Sequence, residues 1–430
     1  MSDKETARLQ MRSVIAFFSG NLGATVLTLL ATLMVTRWTP PHQLGLWNLM
    51  TVFISYASAL QLGVFNGLNR QIPFLRGSGD ADKAELAGQV GLAWCLALTG
   101  LTLVIGLIGV GYFAVAGTQD QLLTVTAFVV VLAGSWSLQF LTVGYSTAGA
   151  FGPLARRTTL IAIAGLPLAL LAQWLGYAGL LLRAALVAMI GSAALNYQHP
   201  LKLRPKWDGA VFRQLVRIGL PIWLLGQLGA LFMTLDRLVL ADSPQLLGYY
   251  AIAAQFAALA VMVPTAFNSV LYPQMSRSYG KHRSAMALWR QAFRASAGVL
   301  AAGALFGGIC WLTIPYFVSW LLPAYVPAIE ASRWTALVAL AMSFSTFGNV
   351  LNVLGRQDVY LLCSAVGTAV FFSAWHFLSA GPGASALVAV AQSMLLATFA
   401  TPCCAMLLSR VLCLRHDRDH PGLPHGAEAT

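Results

Sequence analysis

The chain has 430 residues, 58% of them hydrophobic and only 9% charged, with a formal net charge of +12 and a mean hydropathy of +0.72. Soluble domains carry roughly 25% charged residues, so this composition excludes an ordinary soluble protein and points to a polytopic membrane protein. The six cysteines, Cys95, Cys310, Cys363, Cys403, Cys404 and Cys413, lie in or beside apolar blocks without C-x-x-C spacing. They read as small buried hydrophobes and suggest neither a disulfide framework nor a metal site.

The chain opens on a short polar stretch, "MSDKETARLQMR". The block after it, "SVIAFFSGNLGATVLTLLATLMV" at 13–35, is about 35 Å long as a helix, enough for a bilayer core of about 30 Å. It is too long for a signal-peptide core and has no small-residue cleavage site, so it reads as a retained first helix. Gly, Pro and charge punctuate the rest. The predicted spans are 13–36, 45–68, 86–115, 121–150, 158–176, 178–198, 216–240, 246–272, 295–321, 331–354, 358–379 and 384–412. Their Leu, Ala, Val and Gly content suits packed membrane helices. No stretch alternates as a membrane β-strand would.

Twelve spans can be tested by charge. With the N-terminus in the cytoplasm, 22 of the 26 basic residues fall on the cytoplasmic side, leaving Arg37, Arg183, Arg237 and Arg333 opposite. A wrong span count would scramble that asymmetry, so both termini are expected in the cytoplasm. The net positive charge is then topology signal and attraction to anionic lipid headgroups, not a nucleic-acid footprint.

The first two helices and the seventh and eighth follow one plan. Gly23 matches Gly229, Gly45 matches Gly248 and Pro73 matches Pro273, at offsets between 200 and 206 residues. Each half therefore has six helices, and an even number makes the repeats parallel about the membrane normal. The expected organisation is a lobe at 1–198, a basic cytoplasmic connector at 199–215, a second lobe at 216–412 and a cytoplasmic tail at 413–430. Two six-helix lobes around a central cavity suit alternating access, which favours a transporter.

Charges inside such a chain are costly, about 2.5–3.5 kcal/mol each near the bilayer centre on insertion scales. Asp236 and Arg237 lie near the outer end of the seventh span. Arg237 stands 11 residues before Gly248, whereas Arg37 stands 8 before Gly45, which puts the pair about 4.5 Å deeper. Arg237 either acts as an anchor, snorkelling to the headgroups or pairing with a neighbour's carboxylate, or faces the cavity, where its planar fork would suit a phosphate or pyrophosphate. Adjacent helical side chains diverge, so the two are not expected to pair with each other. Asp236 is the candidate for a coupling cation or proton. Asn66, Asn69 and Arg70 gather polar groups at the inner end of the second span. Arg183 reads as a snorkelling residue, and Glu330 and Arg333 as a surface pair. Gln61 and Gln255, on the corresponding second and eighth helices, either bond between helices or line a cavity that meets sugar hydroxyls. Asn21, Gln227, Asn268, Asn349 and Asn352 pose the same choice. Trp38, Trp47 and Trp320 suit an interfacial aromatic belt.

There is no G-x-S-x-G, P-loop, H-E-x-x-H or carboxylate pair, and every predicted external loop is short, so an enzyme is not expected. A membrane polymerase or ligase of lipid-linked sugars, which carries a large external loop, is disfavoured.

Three stretches carry a resemblance: "LGLWNLMTVFISYASALQLGVFNGLNRQIPFLRGSGD", "DRLVLADSPQLLGYYAIAAQFAALAVMVPTAFNSVLYPQMSRSYGK" and "LLPAYVPAIEASRWTALVALAMSFSTFGNVLNVLGRQDVYLL". They hold a D-R before a G-x-Y, a P-x-x-S-R, a Y-x-P-A and an L-G-R-Q in order. The chain resembles the O-antigen and exopolysaccharide flippases of the multidrug/oligosaccharidyl-lipid/polysaccharide exporter superfamily. The resemblance implies a twelve- to fourteen-helix fold and a bacterial inner-membrane protein that moves an undecaprenyl-pyrophosphate-linked oligosaccharide outward. It implies cavity arginines on the pyrophosphate, drive by a Na+ or H+ gradient, and a polysaccharide polymerase machinery as neighbour. Arg70, Asp236, Arg237 and Arg356 fall on family-pattern positions, Arg356 in a turn that reads as structural. The substrate-binding candidates are Arg37, Arg70, Arg237, Gln61, Gln255 and Asn66, and the ion-coupling candidate is Asp236. No strongly charged midplane residue is present. A drug exporter of the same superfamily, the alternative, would need a deep acidic residue for cationic drugs.

Overall fold

A computed structural model of the chain describes residues 23–282, 284–381 and 385–419. The polar N-terminal stretch, residues 13–22 of the first span, Asn21 and the tail from residue 420 lie outside the described residues. The described structure is helical, with no strand among the described residues. Helices follow as α1 (Gly23–Trp38), α2 (Pro41–Ala57), α3 (Val64–Gly77), α4 (Ala81–Ala116), α5 (Gln119–Thr147), α6 (Phe151–Leu168), α7 (Leu170–Asn196) and α8 (Gly209–Phe232). They continue as α9 (Leu235–Val239), α10 (Pro244–His282), α11 (Ala285–Leu321), α12 (Ile329–Ala336), α13 (Val338–Ala341), α14 (Thr346–Val353), α15 (Gln357–Ser379) and α16 (Ala386–Asp419). Each of the twelve predicted spans overlaps one of these helices or a broken run of them. Among the described residues nine helices are long and apolar enough to cross a membrane, or ten if the bent pair α2–α3 is one span. The described part of the first span, Gly23–Trp38, is shorter. The protein is an all-α polytopic membrane protein.

Lipid leaves no backbone or hydroxyl group a water partner, so the sequence supplies internal ones. On α1 the hydroxyls of Thr28, Thr32 and Thr36 each donate to the carbonyl four residues back at 2.8–2.9 Å. Apolar side chains face outward instead: Val115 is 91% exposed and Trp320 79%.

The chain divides into two compact units, Met1–Leu231 and Phe232–Thr430. The units thus part at the end of α8, whereas the expected lobes part at the 199–215 connector. The first unit is built on Leu68, Ile72, Val90, Trp136, Phe140 and Leu215. Trp136 is fully buried and donates its indole N–H to Thr102 Oγ1 at 2.9 Å, so its polar atom is satisfied. The second unit packs Met275, Leu288, Phe347, Leu351, Cys363 and Cys413. There α16 runs on to Asp419, past the point where the tail was expected to begin. Asp417 uses that extra turn to cap α11, accepting from Ser284 Oγ at 3.0 Å, Ala285 N at 2.6 Å and Met286 N at 3.0 Å.

Three spans differ from their predicted form. The fifth is divided between α6 and the start of α7, and the chain turns at Gly176, whose φ is +56°. The seventh stops at Phe232 and resumes as the short α9. The tenth is a run of short pieces, α12 to α14, with a 3-10 turn at Met342–Ser345. Asn268 and Asn349 join across that turn: Asn268 Nδ2 donates to Ser345 Oγ at 2.8 Å and Asn349 Nδ2 to Asn268 Oδ1 at 3.1 Å.

Candidate functional site

The candidate residues divide between the two units, Arg37, Gln61, Asn66 and Arg70 in the first and Asp236, Arg237 and Gln255 in the second. In the first unit the second span is broken. After α2 comes a 3-10 turn, Ser58–Gln61, then Leu62 (φ 51°) and Gly63 (φ 74°) in the left-handed region, before α3 departs at 52°. That region suits glycine and is strained for leucine. The break is pinned by α8. A Cβ on Gly63 would meet the Gly219 carbonyl carbon at 2.5 Å and Leu220 N at 2.6 Å, and one on Gly67 would strike the Leu215 carbonyl. Only backbone fits here.

Gln61 ends the 3-10 turn. It is 5% exposed, and its side-chain carbonyl oxygen is buried without a hydrogen-bond partner. Its backbone carbonyl accepts from Trp94 Nε1 at 3.3 Å. Gln227 Nε2 on α8 donates to Ser58 Oγ at 2.9 Å in the same turn. Trp223, one turn from Gln227 on the face of α8 that carries Gly219, has a buried indole N–H with no partner. A free acceptor and a free donor thus flank the break, the pattern that a hydroxyl satisfies. Asn66 is half-buried and Arg70 exposed, four residues apart on one face of α3. They stand beyond the break from Gln61. Arg37 is exposed at the end of α1. Neither Arg37 nor Arg70 has an ion-pair partner among the described residues.

In the second unit the Asp-Arg pair sits on α9, the short helix after the end of α8. Asp236 is 6% exposed. Its Oδ2 accepts from the Tyr250 hydroxyl at 2.8 Å, and its Oδ1 from the backbone N–H of Arg237 at 2.8 Å. The two side chains form no ion pair, as their adjacency led us to expect; the carboxylate holds its neighbour's backbone instead. Arg237 is half-buried, and no carboxylate among the described residues pairs with it. Gln255, on α10 with Tyr250, is half-buried, and its side-chain carbonyl oxygen is buried and unpartnered, as in Gln61. Each unit therefore carries one unsatisfied glutamine carbonyl on its corresponding helix. Leaving a buried acceptor unmade costs about 1–3 kcal/mol, and native proteins keep few such groups.

The other charges are accounted for locally. Arg183 donates to the Gly165 carbonyl at 3.2 Å. Arg333 pairs with Glu330 at 2.8 Å and donates to the Trp311 carbonyl at 3.0 Å. Arg356 pairs with Asp358 at 2.9 Å in an exposed turn, in keeping with a structural role. Sequence reasoning missed Tyr250 and Trp223. Tyr250 stands in the G-x-Y motif, and its hydroxyl was the one signal that a buried carboxylate would have a donor.

A family model described as polysaccharide biosynthesis protein matches residues 95–310. No curated protein matches the chain. Among solved structures, an inward-facing multidrug resistance MATE family transporter of the MOP superfamily superposes with a TM-score of 0.74 at 16% identity, covering 91% of this chain and 96% of that one. An outward-facing transporter of the same description gives 0.63 at 14%, covering 95% and 97%. A MOP superfamily transporter from Pyrococcus furiosus, described as having a binding pocket of reverse polarity, gives 0.63 at 16%, covering 95% and 96%. At these identities the likeness shows the fold alone, the one these transporters share.

Proposed function

Because the chain belongs to the polysaccharide biosynthesis protein family, we propose that it is a transporter, not an enzyme. Its cargo is a polyprenyl-pyrophosphate-linked oligosaccharide, moved by alternating access from the cytoplasmic to the outer leaflet of the bacterial inner membrane. The observation that carries this reading is the pair of buried, unpartnered carbonyls of Gln61 and Gln255. Each stands ready to accept from a sugar hydroxyl, and a cargo that supplies the donor recovers what a buried carbonyl otherwise forgoes. Arg37, Arg70 and Arg237 form no ion pair with a described carboxylate, which suits pyrophosphate binding. Asn66 adds an amide beside Arg70. Both termini lie in the cytoplasm in this reading, and a polysaccharide polymerase would receive the cargo.

Asp236 is the candidate for H+ or Na+ coupling. Both its oxygens already accept a hydrogen bond, so a proton, which needs no ligand shell, fits better than a metal cation. The second reading is a cation-coupled multidrug exporter. It is favoured by one observation: Asp236 is the one buried acidic side chain among the described residues.

The test is outward movement of a lipid-linked oligosaccharide in vesicles containing the purified protein, wild type beside Arg237→Ala and Arg70→Ala. Movement that collapses in one variant with folding intact makes that arginine a pyrophosphate ligand. No movement of several glycans, together with export of a small organic cation that Asp236→Asn abolishes, would replace the flippase by the drug exporter.

A further inference from the structure

One cavity is lined by none of the candidate residues. It opens in the first unit where α5 ends, α6 begins and α7 ends, and has a volume of about 670 Å³, within the range of small-molecule sites. Arg156, Arg157, Tyr145, Tyr197 and Gln198 bring polar groups to its wall, and Leu160 an apolar one; no acidic residue lines it. Arg157 is held in place. It donates to the Leu195 carbonyl at 3.3 Å and to the Tyr145 hydroxyl, and its guanidinium carbon lies 5.2 Å from the Tyr145 ring centre and 5.9 Å from that of Tyr197. Arg156 is exposed and has no ion-pair partner among the described residues. Two neighbouring guanidinium groups without a counter-charge repel each other, and an anion placed between them relieves that repulsion.

The position says where the anion comes from. The cavity stands where three helices end or begin, which for helices that span a bilayer is near its surface, on the side that the charge count places in the cytoplasm. Leu160, 52% exposed, lines it, and Ile163, 50% exposed, follows one turn along α6. Both offer an apolar track toward the hydrocarbon. Tyr197, 70% exposed, is the amphipathic residue type found at the headgroup level. A ligand with a phosphate at its head and acyl chains below it meets every one of these features.

We infer that this cavity binds the phosphate of an anionic phospholipid headgroup, with Arg156 and Arg157 as its cationic clamp and Leu160 and Ile163 against the acyl chain. This assignment does not depend on the identity of the transported cargo.

The test is native mass spectrometry of the full chain in detergent, titrated with phosphatidylglycerol or phosphatidylcholine. Wild type is compared with Arg156→Gln and with Arg213→Gln, an exposed arginine on α8 outside the cavity wall. Arg156 is the variant of choice because Arg157 also holds the Leu195 carbonyl. One saturable phosphatidylglycerol is expected on wild type and on Arg213→Gln, with about tenfold weaker retention on Arg156→Gln. Equal retention on Arg156→Gln, or equal binding of phosphatidylcholine, overturns the assignment. Inorganic phosphate that displaces the lipid at its own comparable affinity would assign the cavity to a soluble anion and overturn the lipid source.

Discussion

Replacing Gly63 by alanine tests the broken second span directly. Two effects add at this position. The first is conformational, because φ is +74° and an alanine there costs about 1–2 kcal/mol. The second is steric, because the new methyl would sit 2.5–2.6 Å from the backbone of Gly219 and Leu220, and a backbone cannot rotate away as a side chain can. Overpacking of this kind costs about 1–3 kcal/mol. The sum is about 2–5 kcal/mol. Two glycines separate the terms. Gly79 has φ +85° with nothing within 4 Å of the place a methyl would take, so Gly79→Ala carries the conformational cost alone. Gly229, helical and equally open, should accept alanine at no cost. The assay is the thermal midpoint of the detergent-purified variants at one scan rate, since such transitions are often irreversible. The expected order is Gly63→Ala well below Gly79→Ala, and Gly79→Ala below Gly229→Ala. A midpoint for Gly63→Ala equal to that of Gly79→Ala would refute the close approach of α8 to the break.

Gln61→Leu and Gln255→Leu remove unsatisfied buried acceptors, so each should leave the thermal midpoint unchanged or raise it, by up to about 1–3 kcal/mol of stability, while movement of the lipid-linked glycan falls. Loss of both stability and transport would mean that the carbonyls are bonded after all. Tyr250→Phe takes the donor from Asp236 and should destabilise by about 1–3 kcal/mol, whereas Tyr250→Phe combined with Asp236→Asn should recover part of that loss, as thermal midpoints of the set would show. Asp417→Ala removes the acceptor of Ala285 N and Met286 N at the start of α11 while Ser284 still accepts from Ala287 N, and should cost about 1 kcal/mol, read the same way, with glycan movement in vesicles intact.

The helices were legible because the bilayer demands long uninterrupted apolar runs, and twelve such runs are plain in the sequence. The Glu330–Arg333 pair was legible too, since three residues along a helix bring two side chains together. Breaks were harder. Gly63 is one of 39 glycines, and what singles it out is the backbone of Gly219, more than 150 positions away in the chain. Leu62 gives no hint of a left-handed backbone; packing imposes it. Among the site residues, Asp236 drew notice as a rare charge, but its partner Tyr250 lies on another helix, and helix rotation is decided by neighbours. Gln61 and Gln255 were identified by residue type and helix. That each leaves a carbonyl unmatched is a property of surroundings that a one-dimensional reading does not contain. Arg156 and Arg157 count in the sequence only among the cytoplasmic basic residues, because the tyrosines around them come from α5 and from the residue just past α7.

The second span and its counterpart in the later half share a plan but not a mechanics. The later one, α10, is one helix of 39 residues with Pro264 in its interior, about 58 Å along its axis. The earlier one is jointed at Leu62 and Gly63. At the joint α3 takes a course 52° from α2 and the backbone of α8 closes on the bend, so Ser58 and Gln61 stand at a helix break, whereas Tyr250 and Gln255 stand along one helix.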